Sequence, residues 1–172
     1  MSEEVRLILM SSGVTLSLVA LLFSIRNRYV DTRKSLKVEH STEAVIAQSA
    51  LSTEFQQMLL TVNVLNSGKQ PAFVHHVHVK LPKIHNGYDQ YQLLDMSASI
   101  QFPYKIEAGD SLTIKHGLRS FSDSFESALQ PDDKIRFFVQ DTLGKRYYSK
   151  KVAFKDVTEH LKTEELLRQK SI

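Results

Sequence analysis

The chain divides into an uncharged apolar segment and a longer region in which hydrophobic and polar residues alternate. The apolar segment, Leu7 to Ile25, carries hydrophobic residues on every side of a helix, whereas a helix that lies on a globular core has one apolar stripe. A helix of this length rises roughly 28 Å, close to the ~30 Å hydrocarbon core of a bilayer. The pattern therefore predicts a transmembrane helix within an N-terminal region, 1–27.

A buried core helix and a cleaved signal peptide are the alternatives for this segment. A signal peptide has a basic start and an apolar stretch of roughly 7–15 residues. This chain starts Ser2-Glu3-Glu4, and its apolar stretch is longer. We therefore expect the segment to anchor the protein in a membrane.

Basic residues follow the predicted helix in a juxtamembrane linker, 28–35, and only Arg6 precedes it. Lys and Arg stay on the cytoplasmic side of a membrane, which predicts a single-pass protein with its C-terminal domain in the cytoplasm. So few charges decide the orientation that the reverse topology stays open. The membrane-flanking residues could also bind anionic headgroups, although fixing the topology is the simpler role. They are Arg26, Arg28, Arg33 and Lys34.

Small residues lie on one side of the predicted helix, with Gly13 and Ser17 followed by Ala20 and Ser24. Such spacing lets two membrane helices approach closely, so Gly13 and Ser17 are candidates for pairing in a homo-oligomer. Chance is the simpler explanation, because small residues are frequent in membrane helices.

The region 36–155 has the period-two alternation of β-strands. The third strand is the clearest, and its alternation predicts two faces. One face has Phe73, His75, Val77, Val79 and Leu81, and the other has Val74, His76, His78 and Lys80. Turn signals separate the strands at Asn66–Pro71, Asn86-Gly87, Glu107–Asp110 and Asp141–Gly144. About seven short strands predict one antiparallel two-sheet sandwich.

Three of these stretches also resemble a family of uncharacterised bacterial membrane-anchored proteins with an immunoglobulin-like β-sandwich. The stretch Val62–Val74 resembles their "N-x-G-x-x-P" core, Ile106–Asp110 their "Gly-acid" turn, and Phe138–Tyr147 their final "Asp-x-x-Gly-x-x-Tyr" hairpin. The resemblance implies an immunoglobulin-like sandwich and a location in a bacterial inner membrane, and it carries no activity. Ala108 stands where Pro is common in that family.

A helix is predicted in the C-terminal region, 156–172, with Asp156 or Thr158 as its cap. Its apolar face has few leucines. A tail packed lightly on the sandwich is therefore favoured over a helix that binds a partner.

Composition excludes several classes of function. The chain has 172 residues, a formal net charge of +3, a pI near 9.0 and no Cys. The charge is too mild to predict nucleic-acid binding, and basic and aromatic residues do not interleave along the sequence as single-strand binders require. The absence of Cys excludes disulfides and is compatible with a cytoplasmic domain.

Histidines are the residues of this chain with a chemistry to test. His76 and His78 share one face of the third strand and are weak candidates for a metal site, with His75 nearby. Asp89 or Asp95 would have to supply a further ligand. A metal-binding sensor or metal-dependent enzyme on His75, His76 and His78 is therefore the alternative function.

No catalytic motif accompanies these histidines: the chain has no Cys nucleophile, no G-x-S-x-G elbow and no phosphate-binding glycine loop. We expect a non-enzymatic protein without a cofactor. Its sandwich would bind another protein at the membrane surface, through an open sheet edge or the histidine-bearing face.

Overall fold

The computed structural model describes residues 15–27, 35–48, 53–96 and 100–170. The described elements are four helices and two groups of strands. In chain order they are helix α1 (15–27) and then β1 (Leu36–Gln48), β2 (Thr53–Asn66), β3 (Ala72–His85), β4 (Tyr88–Gln92), β5 (Tyr104–Ile106), β6 (Ser111–Gly117), α2 (Leu118–Phe125), β7 (Lys134–Asp141), β8 (Arg146–Tyr148), β9 (Val152–Ala153), α3 (Phe154–Thr158) and α4 (His160–Lys170).

The strands form two antiparallel sheets. One sheet has the order β1-β2-β6, and the other has the order β4-β3-β7-β8, with β5 on β3 and β9 on β7. The chain passes from the first sheet to the second after β2 and again after β6. Both sheets contribute to one hydrophobic core, and the ring of His40 on β1 lies 5.0 Å from the ring of Phe137 on β7.

Alternation explains which residues fill this core, since successive side chains of a strand point to opposite faces of its sheet. On β2 the inward residues Leu60, Val62 and Val64 are at most 1% exposed. On β7 Ile135, Phe137 and Val139 meet them from the other sheet and are fully buried. The core therefore lies between the two sheets.

Asn66 joins two of the predicted turns at one end of the core. Its backbone N–H donates to the carbonyl of Asp110 at 2.9 Å, and its own carbonyl accepts from the N–H of Gly109 at 2.9 Å. Asn86 (φ 49°) and Gly87 (φ 83°) both have the positive φ that a tight type I′ hairpin turn requires. The hairpin turn predicted at Asn86-Gly87 is thus confirmed.

The predicted transmembrane helix is wrong. Within the described ranges no helix is long and apolar enough to cross a membrane. Helix α1 covers residues 15–27, which rise only about 20 Å, and Leu7–Val14 lie outside the described residues. The fold class and the description as a single-pass, transmembrane protein are corrected accordingly: the fold is mainly β, with two antiparallel sheets and short helices. The inner-membrane location and the orientation, which were inferred from that helix, stay predictions.

The C-terminal elements also begin in a different place from the predicted one. Helix α3 starts at Phe154, and its N-cap residue, Ala153, has no capping side chain. Phe154 and Val157 are buried in the core. Burial of these two apolar side chains fixes the start of the helix, and the sequence signal for a cap at Asp156 or Thr158 does not.

Candidate functional site

The histidines of β3 lie on the outer face of the larger sheet, where a β-bulge changes the predicted alternation. The register with β7 shifts between Val74 and His76. The extra residue turns Val74 inward, where it is fully buried, and leaves Phe73 and His75 exposed. The predicted faces are therefore wrong for Phe73, Val74 and His75, whereas His76 and His78 do share the outer face.

An aromatic cluster on this outer face centres on Phe138. The imidazole of His78 stacks on the Phe138 ring at 4.9 Å and 11°, and the Tyr148 ring lies 5.2 Å away on the other side. The guanidinium of Arg146 lies 5.3 Å above Phe138. Although Phe138 points away from the core between the sheets, these neighbours bury it completely.

Burial in this cluster, together with smaller charge repulsion from His76, Arg146 and His75, lowers the pKa of His78 to about 4. Burial and the neighbouring His75 likewise lower the pKa of His76. Near neutral pH the His78 ring is therefore neutral, and it contributes a flat, uncharged surface to the sheet face.

Among the described residues, the histidines of β3 have no third side chain placed to complete a metal site. In the part of the chain that the structure describes, no three His, Asp or Glu side chains form a group that could hold a metal ion. Asp89 accepts a hydrogen bond from Nζ of Lys80 at 3.0 Å, and Asp95 accepts one from the backbone N–H of Lys115 at 2.9 Å. The two acids considered as further ligands are thus directed to other partners.

An open edge of the smaller sheet lies along β1. Ser67 donates its N–H to the carbonyl of Ser35 at 2.8 Å, so this is a hydrogen-bonded pair, and hydrogen-bonded and non-hydrogen-bonded pairs alternate along the strands. The N–H and C=O groups of Leu36, Val38 and His40 consequently point away from β2. Among the described residues they meet no hydrogen-bonding partner.

A second open edge, that of β8, lies near β1. Ser149 donates its N–H to the carbonyl of Phe137 at 2.8 Å, so the backbone groups of Tyr148, the preceding residue, point away from β7. A cleft of about 610 Å³ separates the two edges. We call it the edge cleft, and it is lined by Ser35–His40 with Ser67 on one side and by Tyr148, Ser149 and Lys150 on the other.

The opposite edge of the smaller sheet, at β6, is covered by the chain itself. The N–H of Met96 donates to the carbonyl of Lys115 at 2.9 Å, and the carboxylate of Asp95 accepts from the N–H of the same Lys115. The ring of His116 is within 3.0 Å of the carbonyl of Leu94. Segment 94–96 therefore protects β6, whereas β1 has no comparable cover among the described residues.

The remaining predicted site residues belong to the N-terminal region. Arg26 and Ser17 lie in α1. Gly13, Arg28, Arg33 and Lys34 lie outside the described residues, so the predicted helix pairing and headgroup contacts are not tested.

The sequence analysis expected an open sheet edge without identifying its strand, and it missed the aromatic cluster. Strand order decides which strand is at an edge, and a single strand does not reveal it. The cluster did leave a signal: Arg136 and Phe138 alternate on β7, and Arg146 and Tyr148 alternate on β8. Basic and aromatic side chains from two strands thus meet on one face.

Comparison with known proteins leaves the family open. No protein-family model and no curated protein matches the chain. A solved structure described as the X-ray structure of Northeast Structural Genomics Consortium target SoR45 is similar at 14% identity, over 69% of this chain and 84% of that one, with a TM-score of 0.33. At that TM-score the likeness supports no conclusion about fold or function.

Proposed function

We propose that this protein is a non-enzymatic binding module that takes up an extended segment of another protein along the edge of β1. One observation carries the proposal: Leu36, Val38 and His40 present backbone donors and acceptors to the edge cleft, and none of these groups is paired within the described ranges. Open strand edges recognise extended peptides by adding a strand to the sheet.

The shape of the cleft supports this mode of binding. The β1 backbone forms one wall, and the β8 edge with Ser149 and Lys150 forms the other. A strand added to β1 would lie about 4.8 Å from it, and its alternate side chains would point toward the β8 wall. Main-chain hydrogen bonds would provide affinity, and the side chains of that wall would provide selectivity.

A proline at His40 tests the proposal, because it removes an edge N–H without removing a bond to β2. Affinity capture with the full-length protein should recover the same partner with the wild type and with His40→Ala, which keeps the N–H and loses only the ring. His40→Pro should lose it. Circular dichroism of all three proteins shows whether the fold is kept.

The histidine-bearing face is the competing surface, and His78→Ala separates the two. We expect His78→Ala to keep the partner, since His78 lies on the outer face of the other sheet. If His40→Pro retains the partner while His78→Ala loses it, the β1 edge is not the binding site.

A further inference from the structure

A cationic cleft opens on the outer face of the larger sheet, beside the aromatic cluster. It has a volume of about 540 Å³. Its cations come from three places in the chain, namely β3, β7 and the segment before β9. The lining residues are Lys80, Leu81, Pro82, Lys134, Arg136, Tyr148 and Lys151. We call it the basic cleft; four of its seven lining residues are cations, and none is an acid.

Most of this positive charge has no carboxylate partner. Lys80 is paired with Asp89 at 3.0 Å. Among the described residues no Asp or Glu oxygen forms an ion pair with Lys134, Arg136 or Lys151, although Lys83 and Lys155 nearby in the sequence have theirs at Asp133 and Asp132. The basic cleft therefore concentrates positive charge, whereas the neighbouring cations Lys83 and Lys155 are neutralised by acids.

Arg136 packs against Tyr148, and its Nε has no hydrogen-bonding partner among the described residues. Its Nε is buried and meets no acceptor among the described residues, and its guanidinium carbon lies 5.8 Å from the centre of the Tyr148 ring. Its backbone is directly opposite that of Lys80, and like charges opposite each other on paired strands repel. A buried guanidinium N–H without an acceptor costs free energy that an anion would recover.

From this geometry we propose that the basic cleft binds a phosphate-type oxyanion. Arg136 offers a planar set of donors that matches a tetrahedral oxyanion, and Lys134 and Lys151 add two mobile ammonium groups. A phosphate dianion balances more of the charge of Lys134, Arg136 and Lys151 than a single carboxylate does. Tyr148 borders both clefts, but none of the four cations lines the edge cleft, so this proposal does not depend on the binding of an extended segment.

The test is a titration of the ¹⁵N-labelled full-length protein with orthophosphate. The Nε–H signal of Arg136 should move downfield as it gains an acceptor, and calorimetry should give saturable binding. Arg136→Gln and Lys151→Gln should each weaken binding about tenfold, the effect of losing one charge-assisted hydrogen bond. Lys162→Gln, on α4 outside the cleft, is the matched control and should bind as the wild type does.

The sources of the phosphate group are separated by a second arm with lipid vesicles. Phosphatidylcholine vesicles with and without phosphatidic acid are compared at the phosphate concentration of the first arm. Saturable binding of free orthophosphate that depends on Arg136 and Lys151 supports the proposal. Three results overturn it: no saturable binding, an equal loss in Lys162→Gln, or binding to phosphatidic-acid vesicles without binding of free phosphate.

Discussion

Asn66→Ala should destabilise the fold far more than its single-residue change suggests. The fully buried side chain of Asn66 donates from Nδ2 to the carbonyls of Gln70 at 2.8 Å and Ile106 at 3.0 Å, and its Oδ1 accepts from the N–H of Gly68 at 3.0 Å. Alanine removes all three hydrogen bonds, and the buried carbonyl of Ile106 loses the donor that Asn66 supplies. At about 1 kcal/mol for each bond, the free energy of unfolding should fall by about 3 kcal/mol.

Urea unfolding of the full-length protein, followed by circular dichroism, measures this loss. Ser67→Ala is the matched control, since the Ser67 hydroxyl makes only exposed bonds to Ser35 at 3.2 Å and its loss should cost under about 0.5 kcal/mol. Asn66→Asp keeps the acceptor for Gly68 but turns a carboxylate oxygen toward two carbonyls, so the pKa of the new acid should be raised. The free energy of unfolding of Asn66→Asp should then fall further below that of the wild type as the pH rises from 4 to 7. A loss below about 1 kcal/mol for Asn66→Ala would refute the reasoning.

Three further predictions follow from single residues. The pKa of His78 is about 4, below the ~6.5 of an unfolded chain, so the stability that it contributes should be complete above pH ~6.5 and lost as the pH falls toward 4. NMR titration should show a neutral His78 ring at pH 5, and His78→Gln should flatten the acid-side fall in stability. Gly144→Ala should cost about 1 kcal/mol in urea unfolding from backbone strain alone, because φ is 82° and the added Cβ meets no atom within 4 Å. Leu60→Ala should cost about 2–5 kcal/mol in the same assay because Leu60 is fully buried, whereas Leu143→Ala, at a residue 77% exposed, should change stability by less than about 0.5 kcal/mol.

Turn chemistry and inward alternation were readable from the sequence because both are local. Asn86-Gly87 and Gly144 need positive φ, which few residues tolerate, and the structure has them in turns. The end of the β1–β2 hairpin that is farthest from Leu36 and Asn66 could not be predicted as paired strands. Its pairs from Ala44 with Met58 to Gln48 with Thr53 lie beyond the segment of β2 that pairs with β6, so only one neighbouring strand supports them.

The sequence was misleading where a local rule depends on distant structure. The bulge before His76 moved Val74 inward, and bulges leave no clear mark on a hydrophobic pattern. The segment Arg146–Ala153 reads as one alternating strand, but β8 ends at Tyr148, where the hydroxyl of Ser149 accepts from the N–H of Phe137 at 3.0 Å. Apolarity over Leu7–Ile25 predicted a span that the described helix is too short to make.

The open edge could not be predicted from the sequence either, because the order of strands in the sheet determines which strand has an unpaired side. β1 carries the same alternation as the protected strands, and only the order β1-β2-β6 shows that one of its sides is unpaired. The chemistry of the basic cleft was equally hidden, as its cations are separated in sequence and meet only through the pairing of β3 with β7.

Amide hydrogen exchange along β1 tests the central claim most directly. The N–H groups of Lys37 and Glu39 point toward β2 and should exchange slowly, whereas those of Val38 and His40 point into the edge cleft and should exchange rapidly in the isolated protein. This alternation of slow and fast residues is the result that the account predicts. Equal protection of all four amides in the isolated protein would show that the edge is already paired, and it would contradict the proposal that β1 receives a partner strand.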